Sequence, residues 1–318
     1  MNSFSEDLYK FVGNEICIRS NSSRLSDHLK SVYCRFHQRT HRTRFKHTEV
    51  SQNNTTGPTI DIIDNLANSS EITINDGFYL YRLSPYNGSY RWISLEKGQN
   101  YTGTCDLLHF VQTVVLRTIT LLISDYHLFH AGVVSWRDKG IIIPAHPNMG
   151  KTTMVVKLVM SGCRFLSDEI ACFSPDLTRL EAFPRRISIR NNSRTLLGLT
   201  DCSDSMDIIK TAENEWMLDI EDIAPNSLTD TCVPYFIFFL RGFADNPTLE
   251  PLPSSAALLE LLKFTYCPVN DPALLLFKCA PLINSLQCYN LISGNLDDTA
   301  KLIIEEVERR NSKDGSVR

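Results

Sequence analysis

The chain has 318 residues, 43% of them hydrophobic and 21% charged, with a formal net charge of −4. These proportions exclude a disordered polyelectrolyte, and the mild negative charge gives no reason to expect nucleic-acid binding. The length suits one large domain or two modest ones. No basic start followed by an apolar core is present, so no signal peptide, no membrane partner and a cytoplasmic location are expected. Ten cysteines are present without a single Cys-x-x-Cys spacing. They are expected to be reduced and mostly buried thiols, neither disulfides nor zinc ligands.

Residues 1–47 open with an amphipathic stretch and close on RFHQRTHRTRFKH (35–47), which carries Arg35, Arg39, Arg42, Arg44, Lys46 and three histidines. It reads either as a solvated helix face or as a docking surface for an acidic peptide or a phosphorylated molecule. His37 and His41 have the i, i+4 spacing of a helical metal pair, but no acidic third ligand is evident nearby. EVSQNNTTGPT (49–59) reads as a loop. IDIIDNL, EITIN, FYLYRLS and YRWISLE, separated by NDG and YNGS, predict a small antiparallel sheet over 60–97. A helix over 106–123 follows, with Asp106 as its N-terminal cap. Its apolar run is interrupted by His109, Gln112 and Arg117, so it reads as a buried helix and not a membrane span.

From residue 128 the pattern changes. LFHAGVVSW and GIIIPA are β-branched runs around RDKG and predict a hairpin. KTTMVVKLVM has helical spacing with Gly162 as its stop. CRFLSDEIACFS is extended, further strands are expected at 186–190 and 235–241, and helices at 254–265 and 297–310. The tail 311–318 is expected to be disordered.

Chemistry concentrates at the strand–loop–helix around residue 145. Ala145, His146, Pro147, Asn148, Met149, Gly150, Lys151 and Thr152 fit the pattern [AG]-x4-G-K-[ST]. Such a loop presents backbone N–H groups and a helix N-terminus to phosphates, and its lysine adds a mobile positive charge. Inside the loop, Asn148 can replace a glycine because asparagine tolerates left-handed backbone angles. Pro147 removes one N–H donor. The acidic pair Asp168–Glu169 follows only 17 residues after the lysine. About ten helical residues travel roughly 15 Å from the loop. CRFLS in extended form returns roughly the same distance. The acids are therefore expected beside the phosphates, where one can accept a proton and the other can hold Mg²⁺ with a threonine hydroxyl.

Four segments together resemble the HPr serine kinase/phosphorylase family, and more closely its HPr-kinase-related members: FHAGVVSW, GIIIPAHPNMGKTT, GCRFLSDEIACFSPD and EAFPRRISIR. The resemblance covers about 128–308. It implies an α/β (α+β overall) chain, with a P-loop kinase domain similar to the nucleotide domain of phosphoenolpyruvate carboxykinase over 106–310. A smaller α+β domain over 1–105 would precede it and could recognise substrate. The family's roles, carried over by position, imply that the loop residues through Thr153 bind ATP or GTP. Lys151 would hold the β- and γ-phosphates, and Thr152 would bind Mg²⁺. Asp168 would be the general base, Glu169 the metal-side carboxylate and His130 the histidine near the catalytic acid. Arg185, Arg186 and Arg190 are candidates for stabilising phosphate charge. Ala145, Pro147 and Asn148 replace small residues of the family's loop.

The expected activity is Mg²⁺-dependent transfer of a γ-phosphoryl group to a hydroxyl of a peptide, protein or small metabolite. The alternatives are a non-catalytic nucleotide-binding scaffold or regulatory module and a simple NTPase. Homo-oligomerisation and the choice of nucleotide stay open at the level of sequence.

Overall fold

A computed structural model of the chain describes residues 4–43, 58–65, 71–96, 99–200, 209–212, 214–266 and 272–314. The chain separates into two compact units, 1–124 and 125–318. The boundary therefore comes after the helix that was expected to open the second domain.

The first unit runs β1 (Phe4–Phe11), β2 (Asn14–Ser20), α1 (Ser23–Val32), β3 (His37–Thr43), β4 (Thr59–Asp64), β5 (Ile72–Asn75), β6 (Leu80–Tyr86), β7 (Ser89–Glu96), β8 (Gln99–Cys105) and α2 (Leu107–Leu122). Its described strands form one eight-stranded sheet in the order β3-β1-β2-β4-β5-β6-β7-β8. Only β2 and β4 pair in parallel. The expected sheet over 60–97 is thus half of a larger one. Alternate side chains turn inward, so Ile60 and Ile62 of β4 and Ile72 and Ile74 of β5 are buried. Asp106 caps α2 by accepting from His109 N at 3.1 Å. Phe110 of α2 packs 5.5 Å from Tyr81 and 5.3 Å from Trp92, which ties this helix to the sheet of its own unit.

The basic segment is not a helix face. Residues 37–43 form β3, which pairs antiparallel with β1 at the sheet edge. His37 and His41 are then about 13 Å apart along a strand, not one helical turn. Arg44 and Lys46 lie outside the described residues.

The second unit runs β9 (His127–Trp136), β10 (Lys139–Pro144), α3 (Lys151–Met160), β11 (Arg164–Ser167), β12 (Ile170–Phe173), β13 (Leu180–Glu181), β14 (Ile187–Arg190), α4 (Asn191–Leu196), β15 (Ile209–Ala212), β16 (Glu215–Leu218), α5 (Ile220–Ile223), β17 (Thr231–Phe243), β18 (Thr248–Pro251), α6 (Ser254–Leu262), α7 (Pro272–Ser285), β19 (Gln287–Ser293) and α8 (Leu296–Asp314). The last helix thus continues into the expected disordered tail, and residues 315–318 lie outside the described residues. The main sheet is ordered β10-β9-β12-β13-β17-β19-β18, with β11 also on β9 and β10 also on β17. β17 is parallel to both β10 and β19, while the remaining pairs are antiparallel.

Both faces of this sheet are covered. Ile141, Ile143, Phe236, Phe238 and Leu240 share one core with Val155 and Leu158 of α3 and Ile303 of α8. Ile142, Ile237 and Phe239 face the other core, with Leu261 of α6 and Ile283 of α7. Burial on both sides explains why GIIIP and YFIFFL are continuous apolar runs and not alternating ones. β14, β16 and β15 form a separate three-stranded sheet. The eight described cysteines are free thiols, six of them buried, and Cys202 and Cys267 lie outside the described residues. Among the described residues no helix is long and apolar enough to cross a membrane.

Candidate functional site

The loop between β10 and α3 is shaped by two left-handed residues. Asn148 has φ +67° and Gly150 φ +82°. Asparagine and glycine accept this region at the least cost. Met149 N donates to His146 O at 3.2 Å, closing a turn, and α3 starts at Lys151 directly after Gly150. Met149 packs against the core under α3, and the His146 ring lies 5.1 Å from that of Phe264. Pro147 is exposed. α3 approaches β9 so closely that a Cβ on Gly132 would sit 2.3 Å from a methyl of Val155. The glycine of FHAGVV is therefore a packing requirement of the helix that carries Lys151.

The acidic pair occupies a break in a strand. β11 and β12 both pair with β9, and residues 168–169 bulge between them. The bulge is held by Ser167 Oγ, which accepts from Glu169 N at 3.1 Å and from Ile170 N at 2.9 Å. Glu169 O accepts from Ala131 N at 3.2 Å. This geometry points both carboxylates out of the ladder.

Lys151, Asp168, Glu169, His130 and Arg185 converge. Lys151 is 9% exposed, its Nζ donates to the backbone carbonyl of Asp168, and it lies 3.6 Å from Glu169 Oε2. Arg185 donates from Nη2 to Glu169 Oε2 at 3.0 Å, and its Nε is 3.8 Å from Asp168 Oδ1. His130 Nδ1 lies 3.2 Å from Glu169 Oε1. Tyr266, which the sequence reading did not single out, donates to the same oxygen at 2.6 Å. Asp168 is 1% exposed, and its Oδ1 makes no hydrogen bond among the described residues.

Electrostatics separates the two acids. Burial pushes the Asp168 carboxyl above the usual aspartate range, and the cations Arg185 and Lys151 only partly offset that. Burial acts the same way on Glu169. There it is outweighed by Arg185, the His130 hydrogen bond and Lys151, which hold its carboxyl well below the usual range. The two adjacent carboxyls are thus driven in opposite directions, Asp168 toward keeping a proton and Glu169 toward staying ionised.

The remaining expected residues lie around this centre in different ways. Thr152 is the half-buried second residue of α3. Thr153 turns away to donate to Ser193 Oγ at 2.8 Å. Arg190 reaches the loop, donating from Nη1 to Asn148 Oδ1 at 2.6 Å, and Arg186 is buried. Among the described residues no three His, Cys, Asp or Glu side chains converge as a metal site. The donors near the loop are oxygens, and Mg²⁺ is ordinarily held by one or two carboxylates with waters and substrate phosphates. The Glu169 carboxylate, held well below the usual range, and the half-buried Thr152 hydroxyl are oxygen donors of the kind such an ion takes.

No protein family matches the chain, and no curated protein does. Among solved structures the chain is similar to the HPr(Ser) kinase/phosphatase from Coxiella burnetii, at 11% identity over 59% of this chain and 95% of that one. The TM-score is 0.33, which carries no argument about fold or chemistry. The functional reading therefore rests on the residues themselves.

Proposed function

We propose that the second unit is a phosphotransferase that moves the γ-phosphoryl group of ATP, or of GTP, to a hydroxyl of a peptide, protein or small metabolite. The observation that carries the reading is the meeting of Lys151, at the N-terminus of α3, with buried Asp168, half-buried Glu169 and Arg185. A helix N-terminus with a lysine favours phosphate, and a guanidinium can offset charge that develops in transfer.

In this reading Asp168 takes the proton of the acceptor hydroxyl. Its raised affinity for protons makes it a stronger base than an ordinary aspartate, and its Oδ1 has no competing hydrogen bond. Lys151 would leave the Asp168 carbonyl and Glu169, and Arg185 the two carboxylates, for the phosphate oxygens. Asn148 and Gly150, in left-handed conformations, hold the loop backbone in place, and Arg190 braces Asn148. Glu169 stays ionised and, with Thr152, would hold Mg²⁺, which neutralises charge on the β- and γ-phosphates when bound.

The test uses γ-labelled ATP. The wild-type chain should bind it and transfer or release the label. Asp168→Asn should keep binding and lose transfer by about 10³-fold, the scale of a missing general base. Lys151→Met should lose binding. Absence of nucleotide binding by the wild type overturns the reading. A second reading, a non-catalytic nucleotide-binding scaffold, is favoured by Lys151 and Arg185 already being engaged by protein groups. It expects binding without transfer in wild type and Asp168→Asn alike.

A further inference from the structure

The two oxygens of Glu169 face different kinds of partner. Oε2 meets the cations Arg185 and Lys151, at 3.0 and 3.6 Å. Oε1 meets Tyr266 Oη at 2.6 Å and His130 Nδ1 at 3.2 Å, and those two groups are 3.4 Å from each other. Ammonium and guanidinium groups are what incoming phosphates recruit, so a ligand would draw on the Oε2 side. The Oε1 side has no such competitor among its two partners.

Tyr266 is placed there by backbone. Its N–H donates to Leu128 O at 3.0 Å, and His130 N donates to Phe264 O at 2.6 Å. Residues 264–266 thus run antiparallel along β9, bridging Phe129 to Thr265. Alternate residues of a strand address opposite edges. Leu128 and His130 serve this edge, while Ala131 N serves the other by donating to Glu169 O. One strand therefore carries His130, receives Tyr266 from one side and the acidic bulge from the other. Facing a carboxylate oxygen at 2.6 Å, which can only accept, the Tyr266 phenol is the donor.

We propose that Tyr266, with His130, is a positioning residue that holds Glu169 in register when Lys151 and Arg185 turn to a bound nucleotide. The proposal rests on the phosphotransferase reading and adds to it the group that fixes Glu169. Without the phenol, the carboxylate is expected to follow the departing cations and lose its alignment with the metal and the phosphates. Partners of this kind behind a metal-side carboxylate typically account for 10–100-fold in activity or ion affinity.

The experiment compares wild type, Tyr266→Phe, Glu169→Gln and the double variant in the full chain, with Mg²⁺ and ATP. Tyr266→Phe keeps the ring, so thermal melting should change little. Its turnover should fall about 10–100-fold with KM for ATP within about threefold, and more Mg²⁺ should be needed for half-maximal rate. The double variant should be no slower than Glu169→Gln alone, because Tyr266 acts through that carboxylate. A ligand-free readout is the slowly exchanging Tyr266 hydroxyl proton in NMR, which Glu169→Gln should shift. Full turnover in Tyr266→Phe, equal losses in binding and rate, or additive losses in the double variant would each overturn the proposal. Failure of the wild type to bind ATP at all would instead remove the phosphotransferase reading beneath it.

Discussion

Three buried aspartates separate the two units. Asp7, 2% exposed, accepts from Thr40 Oγ1 at 2.6 Å and lies 3.1 Å from Lys30 Nζ and 3.3 Å from His37 Nε2. Asp76, 1% exposed, accepts from Phe78 N at 2.9 Å, Tyr79 N at 2.6 Å and Thr118 Oγ1 at 3.0 Å. Both are satisfied by groups that close a turn or tie a helix to the sheet. Asp168 of the second unit is just as buried, yet one of its oxygens has no hydrogen bond and its neighbours are charged groups crowded into one bulge. Buried carboxylates of the first kind stabilise a fold, whereas one of the second kind costs stability and is where a functional site is looked for.

The sharpest way to break this contrast is to remove the cation between the acids. Arg185→Leu leaves Asp168 and Glu169 with Lys151 as their remaining ammonium partner. Breaking a buried pair in this way is expected to cost about 3–5 kcal/mol. Urea unfolding of the variant measures it, and a loss under about 1 kcal/mol would mean that water already screens the pair. In the first unit Asp76→Ala strands two backbone N–H groups, for an expected loss of about 2–3 kcal/mol, while the Thr118 hydroxyl keeps Val114 O at 2.8 Å. In the phosphotransferase reading that variant should bind ATP as the wild type does, and calorimetry with ATP checks it.

Much of the site is legible in the sequence because it is built from local segments. The β9–β10 hairpin, α3 with its glycine loop and the return of β11 lie within about 40 consecutive residues, and each follows from periodicity and turn residues. Asn148 at φ +67° is legible for the same reason: the loop needs a left-handed residue where no glycine stands. Tyr266 is not legible. It lies 97 residues from Glu169, and only strand pairing beside β9 brings it there. β3 was hidden in another way. Its arginines and histidines have no strand periodicity, and pairing with β1 outweighs local propensity.

Replacing the odd aspartate itself should reverse the usual direction of a core substitution. Asp168→Asn is expected to raise stability by about 1 kcal/mol at neutral pH, while in the phosphotransferase reading it lowers transfer by about 10³-fold. The sign follows from proton linkage. A carboxyl raised in the folded state keeps its proton to higher pH than in the unfolded chain, so its contribution to stability falls as pH rises from about 4 through the folded value. The stability difference between variant and wild type should therefore be small near pH 4 and grow toward neutrality. Glu169 acts oppositely: its stabilising contribution is present above the ordinary glutamate value and is lost as pH falls through its depressed folded value. Melts of wild type and Asp168→Asn across pH separate the two, and a constant difference at all pH values would count against a raised Asp168.

The smallest expected effect lies in the loop, and it asks whether its departure from glycine matters. At φ +67° an alanine in place of Asn148 is expected to cost about 1 kcal/mol, and it removes the acceptor for Arg190. Asn148→Gly keeps the conformation but also loses that acceptor, so its stability should change by only a few tenths of a kcal/mol. If Arg190 braces the loop for phosphate, both variants should weaken ATP binding by a similar factor although only one is strained. If the backbone angle alone matters, Asn148→Gly should bind as wild type does and Asn148→Ala should not.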